Sequence, residues 1–500
     1  MKLPALLLAY CILAVSCKKD DTPDFFVNED ASTFKEIGSL GIGGTGAAEI
    51  SAYDAATQRL FVVNNSGTNK IDVVDVKNPA APKLISSISL TAYAGAVNSL
   101  AVSNGKVAAA IEAIIKQDNG KVVVFKTDDY SEVKVITVGA LPDMITYTKD
   151  GNYILTANEG EPNADYSNDP PGTVSIIEVN NNYAVTTVDF SAFTAQETTL
   201  KAAGMRIFGL GNNFVKDIEP EYITVSNDSK TAWVTLQENN AIAKINIAAK
   251  NISNIFPLGF KNFNTAENGI DVSDLDLTTA FNAWPLKGMY LPDAIALVEK
   301  DGVPYLFTAN EGDAREYTAL NEARRIKTLA LDPVIFPTAA TLKLDAQMGR
   351  LNVTTKLGDT DGDGDYDELY SFSARSFSVW NGNTGAQIFD SKNELDKKAF
   401  ALGVYDDGRS DDKGCEPEGI TTGQVGNKKV AFIALERADA VAMYDITNPA
   451  LPVFLQMIKC GDAPEGVLFI NAKDSPTKKS LLIVSSENDG FVKIFTPDTI

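Results

Sequence analysis

The feature that most constrains this chain is a short motif that recurs along its 500 residues. Each copy is a small residue or Pro, then an acid, then a short β-branched strand. A second strand follows and ends in Asn or Glu. The clearest copies pair Pro142-Asp143-Met144-Ile145 with Ile154–Glu159, Pro220-Glu221-Tyr222-Ile223 with Val234–Glu238, and Pro292-Asp293-Ala294-Ile295 with Phe307–Glu311. Two more pair Pro417-Glu418-Gly419-Ile420 with Ile433–Glu436 and Pro464-Glu465-Gly466-Val467 with Val484–Glu487. Two degenerate copies come first, Ala48-Glu49-Ile50 with Phe61–Asn64 and Val97-Asn98-Ser99-Leu100 with Ala109–Glu112.

After most second strands comes a third, such as Lys70–Asp75 or Ala440–Asp445, and often a fourth beyond a Pro-containing turn, as at Lys83–Ile88. The compact units are 49 residues (Glu49 to Asn98), 45 (Asn98 to Asp143) and 47 (Glu418 to Glu465) apart. Four short strands repeated seven times predict an all-β chain, a seven-bladed β-propeller with long inter-strand insertions, over residues 33–500. The competing arrangement is a β-sandwich or two stacked β domains. The last unit, ending at Phe491–Phe495, lacks a fourth strand, and Phe34–Leu40 is expected to supply it and remove an open edge. Insertions are expected at 160–172, at 190–217 with a short helix near 195–203, and at 312–372, the largest.

The N-terminus reads as an address. One Lys, an apolar run from Leu3 to Val15 and a small Ser16 make residues 1–16 a secretory signal, too short to span a membrane. Leu13-Ala14-Val15-Ser16-Cys17 resembles a bacterial lipobox, which implies a lipid on Cys17, and Lys18-Lys19-Asp20-Asp21 resembles a surface-export tag. The expectation is an outer-membrane lipoprotein, exposed on the cell surface, with residues 17–32 as a polar tether.

Candidate chemistry follows from what is missing. The sequence has no histidine, so imidazole bases and His-ligated metals are excluded, and any catalysis is carboxylate chemistry. A net charge of -22 argues against nucleic acid as a partner and favours divalent cations. The sharpest motif, Asp359-Thr360-Asp361-Gly362-Asp363-Gly364-Asp365-Tyr366-Asp367, places carboxylates at positions 1, 3, 5 and 9 with Gly at 6, a wrap suited to calcium. Position 12 is Tyr370 rather than Glu, so the loop is not an EF-hand but resembles the shorter calcium loops of integrin-type propellers.

A propeller would bring the acids before each first strand to one mouth. Those are Glu49, Asp143, Glu221, Asp293, Glu418 and Glu465, with Asn98 in the seventh place. Glu112, Glu159, Glu238, Glu311, Glu436 and Glu487, at the ends of the second strands, would flank them. Glu221, Asp293, Glu311, Glu418 and Glu465 are the candidate metal ligands there. Arg206, Arg315, Arg375 and Arg437 are candidate anion clamps or structural counter-ions, with Arg315 and Arg375 put first. Cys415 and Cys460 sit at related places before Glu418 and Glu465; a disulfide, free thiols or a ligating thiolate all fit.

These strings together resemble the choice-of-anchor I family: Leu357–Phe372, Thr308–Tyr317, Ala157-Asn158-Glu159-Gly160-Glu161-Pro162, and Arg409–Gly414 before Pro417-Glu418-Gly419. That family is similar to the mesenchyme-specific cell-surface glycoproteins linked to biomineralisation. The resemblance covers about residues 35–497 and implies an extracellular propeller, here anchored through lipid. Some relatives carry an alkaline phosphatase label. Two functions are therefore expected as alternatives. One is a monomeric, surface-anchored propeller that binds calcium and serves as a binding or scaffold module. The other is a metal-dependent phosphoesterase with calcium, another divalent metal or iron held by carboxylates at the mouth. Carbohydrate binding through Trp284 or Trp380 has little support.

Overall fold

The computed structural model describes residues 25–93, 95–211 and 213–500; Cys17 and the Lys18–Asp21 segment lie outside them. The described chain is all-β in its framework, with seven four-stranded antiparallel sheets and one five-stranded sheet. In the four-stranded sheets the two middle strands are the most buried and the outermost the most exposed. Arg59–Asn64, a second strand, is buried at five of six positions, whereas the outer strand Lys83–Ser89 is mostly exposed. A run such as Leu60-Phe61-Val62-Val63 suits a strand covered on both faces, because β-branched and aromatic side chains pack well on a pleated surface.

First strands of successive sheets touch in a closed cycle. Ala47–Asp54 meets Val97–Ser103, which meets Pro142–Tyr147, then Pro220–Val225, Ile295–Lys300, Pro417–Val425 and Pro464–Ile470, which returns to Ala47–Asp54. Each junction has its own apolar cluster. Between the first two sheets, for example, Phe61 and Val73 pack with Val107 and Phe125; between the fifth and sixth, Phe377 and Val379 pack with Ile433 and Tyr444. Fully burying such a side chain is worth about 1.5–3 kcal/mol, so the junctions hold the sheets to one another.

Closure takes the expected form. Glu29–Gly41 pairs antiparallel with Phe491–Thr499, joining Leu481–Ser486 and Pro464–Ile470 in one sheet. The strand starts earlier than Phe34, so Glu29–Ser32 are not part of a tether. The reason is local: the Glu29 carboxylate is buried and accepts hydrogen bonds from the Ser480 backbone N–H (2.8 Å) and hydroxyl (2.6 Å).

Insertions interrupt this framework at 160–172, 190–217 and 312–372, and also at 258–294, where none was expected. A helix at Glu197–Ala202 follows a 3-10 turn at Ser191–Gln196. The largest insertion does not stand alone. Its short strands Ala323–Arg325, Asn352–Thr354 and Tyr370–Ser371 join Phe260–Asn262 and Lys287–Met289 in the five-stranded sheet, over a separate core containing Phe263, Phe336 and Leu351.

A carboxylate-lined mouth and candidate cation sites

A repeated local irregularity sets the position of the acids. In six of the four-stranded sheets the register between first and second strands slips at the start of the first strand: between Ala47 and Ser51, Val97 and Ser99, Pro142 and Met144, Pro220 and Ile223, Pro417 and Ile420, and Pro464 and Gly466. Each slip spans Glu49, Asn98, Asp143, Glu221, Glu418 or Glu465. A slip of this kind frees a residue from the ladder and re-aims its side chain. Leu141, Leu291, Glu416 and Ala463, each immediately before the motif's Pro, adopt positive φ of 41–54°, a sparsely populated conformation for such residues. In the fifth sheet Asp293 precedes the strand, and its N–H donates to Ala309 O at 3.1 Å.

The result is convergence. Asp143, Glu221, Asp293, Glu418, Glu465 and Asn98 line a single cavity of about 370 Å³, together with Glu159, Glu238, Glu311 and Glu436 from the ends of second strands. Glu49 lies alongside, close enough for its charge to act on Glu465. Glu112 and Glu487 are not among the lining residues, but their charges act on Asp143 and Glu49. The first strands line a second cavity, of about 500 Å³, with Ser51, Thr146, Thr224 and Thr421 among its lining residues and no carboxylate. The acids therefore gather at one end of the inner strands only.

Burial and mutual repulsion push these carboxyls up. Asp143 rises to about 6 through burial, then the charge of Glu161. Glu49 rises to about 7 through burial, then Glu487 and Asp143, against a hydrogen bond from Asn65. Glu159, Glu221, Glu238, Asp293, Glu418 and Glu465 stand well above the ordinary carboxylate range, through burial first and neighbouring carboxylates second. Glu238 is 6% exposed, and its Oε2 has no hydrogen-bond partner; Glu418 Oε2 likewise has none.

One sector of the mouth is balanced differently. Lys413 Nζ lies 2.5 Å from Glu311, 3.1 Å from Glu416 and 3.4 Å from Asp313. Arg437 pairs with Glu436 at 2.9 Å, and Arg409 Nε donates to Glu416 at 2.8 Å. Burial pushes Glu311 up, but the charge and hydrogen bond of Lys413, with Gln237 and Arg437, together hold the carboxyl below its usual value. Carboxylate oxygens of Glu311, Glu416 and Glu436 lie within 4.8 Å of one another, a spacing that can hold a metal ion; no trio of the acids before the first strands is so close. Lys413, Glu416, Glu161 and Asp313 were given no role by the sequence reading. Lys413 and Glu416 lie just before Pro417, where only the acid after the Pro matched the repeat.

Both leading anion clamps are placed elsewhere. Arg315 is 2% exposed and saturated: it meets Asp217 at 2.5 Å, Glu219 at 2.8 and 3.0 Å, and the Asp217 carbonyl at 2.7 Å. Arg375 is equally buried and donates to the carbonyls of Asp271, Ser410 and Asp412. Arg206 pairs with Glu322. Neither Arg315 nor Arg375 has a free donor face for an anion; of the four, Arg437 alone lines the cavity. The expected Cys415–Cys460 bridge is not formed either. Both thiols are free, because Cys415 packs in the core between the fifth and sixth sheets and Cys460 in that between the sixth and seventh.

The aspartate loop is a second, independent cluster. Asp359, Asp361 and Asp367 come within 4.8 Å of one another, whereas Asp363 stays outside that group. Asp365 joins Asp367 and Asp332, a partner from outside the motif brought in by the bridge between Leu331 and Tyr366. Asp359 accepts from the N–H groups of Gly362 (2.7 Å) and Gly364 (3.2 Å), and both glycines have positive φ, as the tight wrap demands.

An all-β chain whose sheets follow one another in a closed cycle around acid-lined first strands has the β-propeller fold. The chain belongs to the choice-of-anchor I domain family, whose model matches residues 49–449. Gigasin-3a of Magallana gigas is 27% identical over 189 residues, covering 31% of this chain and 66% of that protein, just under two thirds of its length. Among solved structures, a chain of Kuenenia stuttgartiensis hydrazine synthase aligns with TM-score 0.51 and 12% identity over 92% of this chain and 98% of that one, a likeness of fold alone. The β-propeller domain of Myceliophteria thermophila Cps50 aligns with TM-score 0.47 and 7% identity over 93% of this chain and all of that one. Family and fold fit a surface-associated binding or scaffold module. Among the described residues, no helix is long and apolar enough to cross a membrane.

Proposed function

We propose that the chain is a seven-bladed, surface-anchored binding module whose acidic mouth takes divalent cations and whose Asp359–Asp367 loop takes calcium. Lipid on Cys17 would be the anchor, residues 17–28 the tether, and residues 29–500 the propeller, acting as a monomer at the outer membrane. The observation that carries this reading is the convergence of Asp143, Glu221, Asp293, Glu418 and Glu465 on one cavity, with too few cations beside them to balance the charge. Buried carboxylates that repel one another are stabilised by a hard cation. Calorimetric titration of the metal-free protein with calcium tests it. Two classes of site are expected, one removed by Asp361→Asn and the other by Glu418→Gln; heat from the loop alone would refute the mouth.

A phosphoesterase remains the second reading, on one observation: Lys413 and Arg437 stand beside the Glu311, Glu416 and Glu436 trio. A metal held by that trio would polarise a phosphate that the two cations steady. Hydrolysis of p-nitrophenyl phosphate that requires added calcium and is abolished by EDTA would support it.

A further inference from the structure

The mouth has more than a ring of charge. Besides the acids, the same cavity is lined by Ile50, Met144, Tyr222, Ala294, Ile420 and Val467. A bare metal ion makes no use of such apolar surface, and it gathers its ligands around one point. The Glu311, Glu416 and Glu436 trio suits such an ion, whereas no three of the acids before the first strands lie within 4.8 Å of one another, which leaves room for a longer cation. Spread negative charges with a few apolar side chains among them match a flexible chain of methylenes with separated positive ends.

The protein already contains an example of that recognition. Lys413 presents a primary ammonium to Glu311, Glu416 and Asp313 at 2.5, 3.1 and 3.4 Å, so one sector of the mouth binds an alkylammonium supplied by the chain itself. In the sector formed by Asp143, Glu159, Glu221 and Glu238 no ammonium is paired with an acid, although Lys116, 3.7 Å from Glu112, acts on Asp143 and Glu159 from outside. Within it the Glu238 carboxylate is 6% exposed, lines the cavity, and leaves Oε2 without a hydrogen-bond partner. A buried carboxylate oxygen left unpaired is costly, and an incoming N–H donor relieves that cost.

We infer that the mouth is a receptor for alkyl polyamines, with one ammonium seated by Glu238 and Glu221 and the methylenes lying over Tyr222 and Met144. This rests on the reading of the mouth as a cation site and names the chemical class it takes. The test is calorimetric titration of the full chain with spermidine, 1,5-diaminopentane, n-pentylamine and calcium at fixed ionic strength. Both polyamines are expected to bind and to be displaced by calcium, with pentylamine at least about tenfold weaker for want of a second charge. Glu238→Gln is expected to weaken spermidine by about tenfold or more, and Glu221→Gln serves as the second variant should Glu238→Gln fail to fold. Calcium binding at the mouth without any spermidine binding would overturn this inference and leave the cation site standing. Spermidine binding unchanged in both variants would overturn it as well. If neither cation binds at the mouth, the underlying reading falls too.

Discussion

The mouth and the aspartate loop are both clusters of carboxylates, yet they are built in opposite ways. In the loop the charges are close in sequence and mostly exposed. The loop's own N–H groups stabilise Asp359, and the Thr360 bonds hold Asp367 below the usual range. Only Asp365 is pushed up, by burial first and neighbouring carboxylates second. In the mouth the charges are separated by scores of residues and gathered by the framework, where burial pushes them up. A local cluster can stay ionised in water without an ion. A framework cluster stores repulsion that a cation or a proton must relieve.

Arg315 gives the largest expected effect, because it is the counter-ion to two buried acids, even though burial still raises Glu219 to about 7. Arg315→Met would leave Asp217 and Glu219 buried without their counter-ion, at a cost of about 3–5 kcal/mol. Chemical denaturation measures it; a loss under about 1 kcal/mol would mean that these acids tolerate isolation, and would weaken the contrast with the mouth. Next comes the mouth itself. Replacing Glu418 and Glu465 together by Gln should remove calcium binding at the mouth while raising the stability of the metal-free protein near pH 8.

The pH response should separate the two regions further. Glu49 and Glu436 rise from 4.5 to about 7, and Asp143 from 3.8 to about 6, so the folded state holds protons that the unfolded chain releases. Their stabilising contribution is complete below about pH 4 and is lost as pH climbs through about 7. The Glu49 carboxyl faces Asn65, Glu487 and Asp143, and Glu436 faces Arg437, Glu416, Glu311 and Lys413. Asp143 faces Glu161, Lys116, Glu221 and Glu112. In EDTA the melting temperature should therefore fall between pH 5 and 8, less steeply in Glu49→Gln, and calcium should offset the fall. The smallest effect belongs to the loop. Asp361→Asn should abolish its calcium site, read by terbium luminescence, yet change metal-free stability by no more than about 0.5 kcal/mol.

Much of this was legible in the sequence because a propeller repeats. The spacing of Glu49, Asp143, Glu418 and Glu465 carried the strand order, the sharing of one mouth and the closing strand at the N-terminus. Side-chain pairing was not legible. Nothing near Arg315 in sequence marks Asp217 and Glu219, nearly a hundred residues away, as its partners, so a buried counter-ion looked like a free clamp. The placement of Cys415 and Cys460 at related repeat positions suggested proximity, but equivalent positions in neighbouring sheets face different cores. Lys413 was hidden for a similar reason: it enters the mouth from a loop outside the repeat. Asp332 joins the aspartate loop only through the tertiary bridge at Leu331.

The most direct test silences the loop and asks whether the mouth still binds. In the Asp361→Asn, Asp367→Asn protein, calcium titration followed by calorimetry should leave one remaining class of sites that Glu418→Gln removes. A loop-silenced protein that gives no binding heat across pH 6–8 would contradict the account, because the converging acids would then be held by protons and internal ion pairs alone.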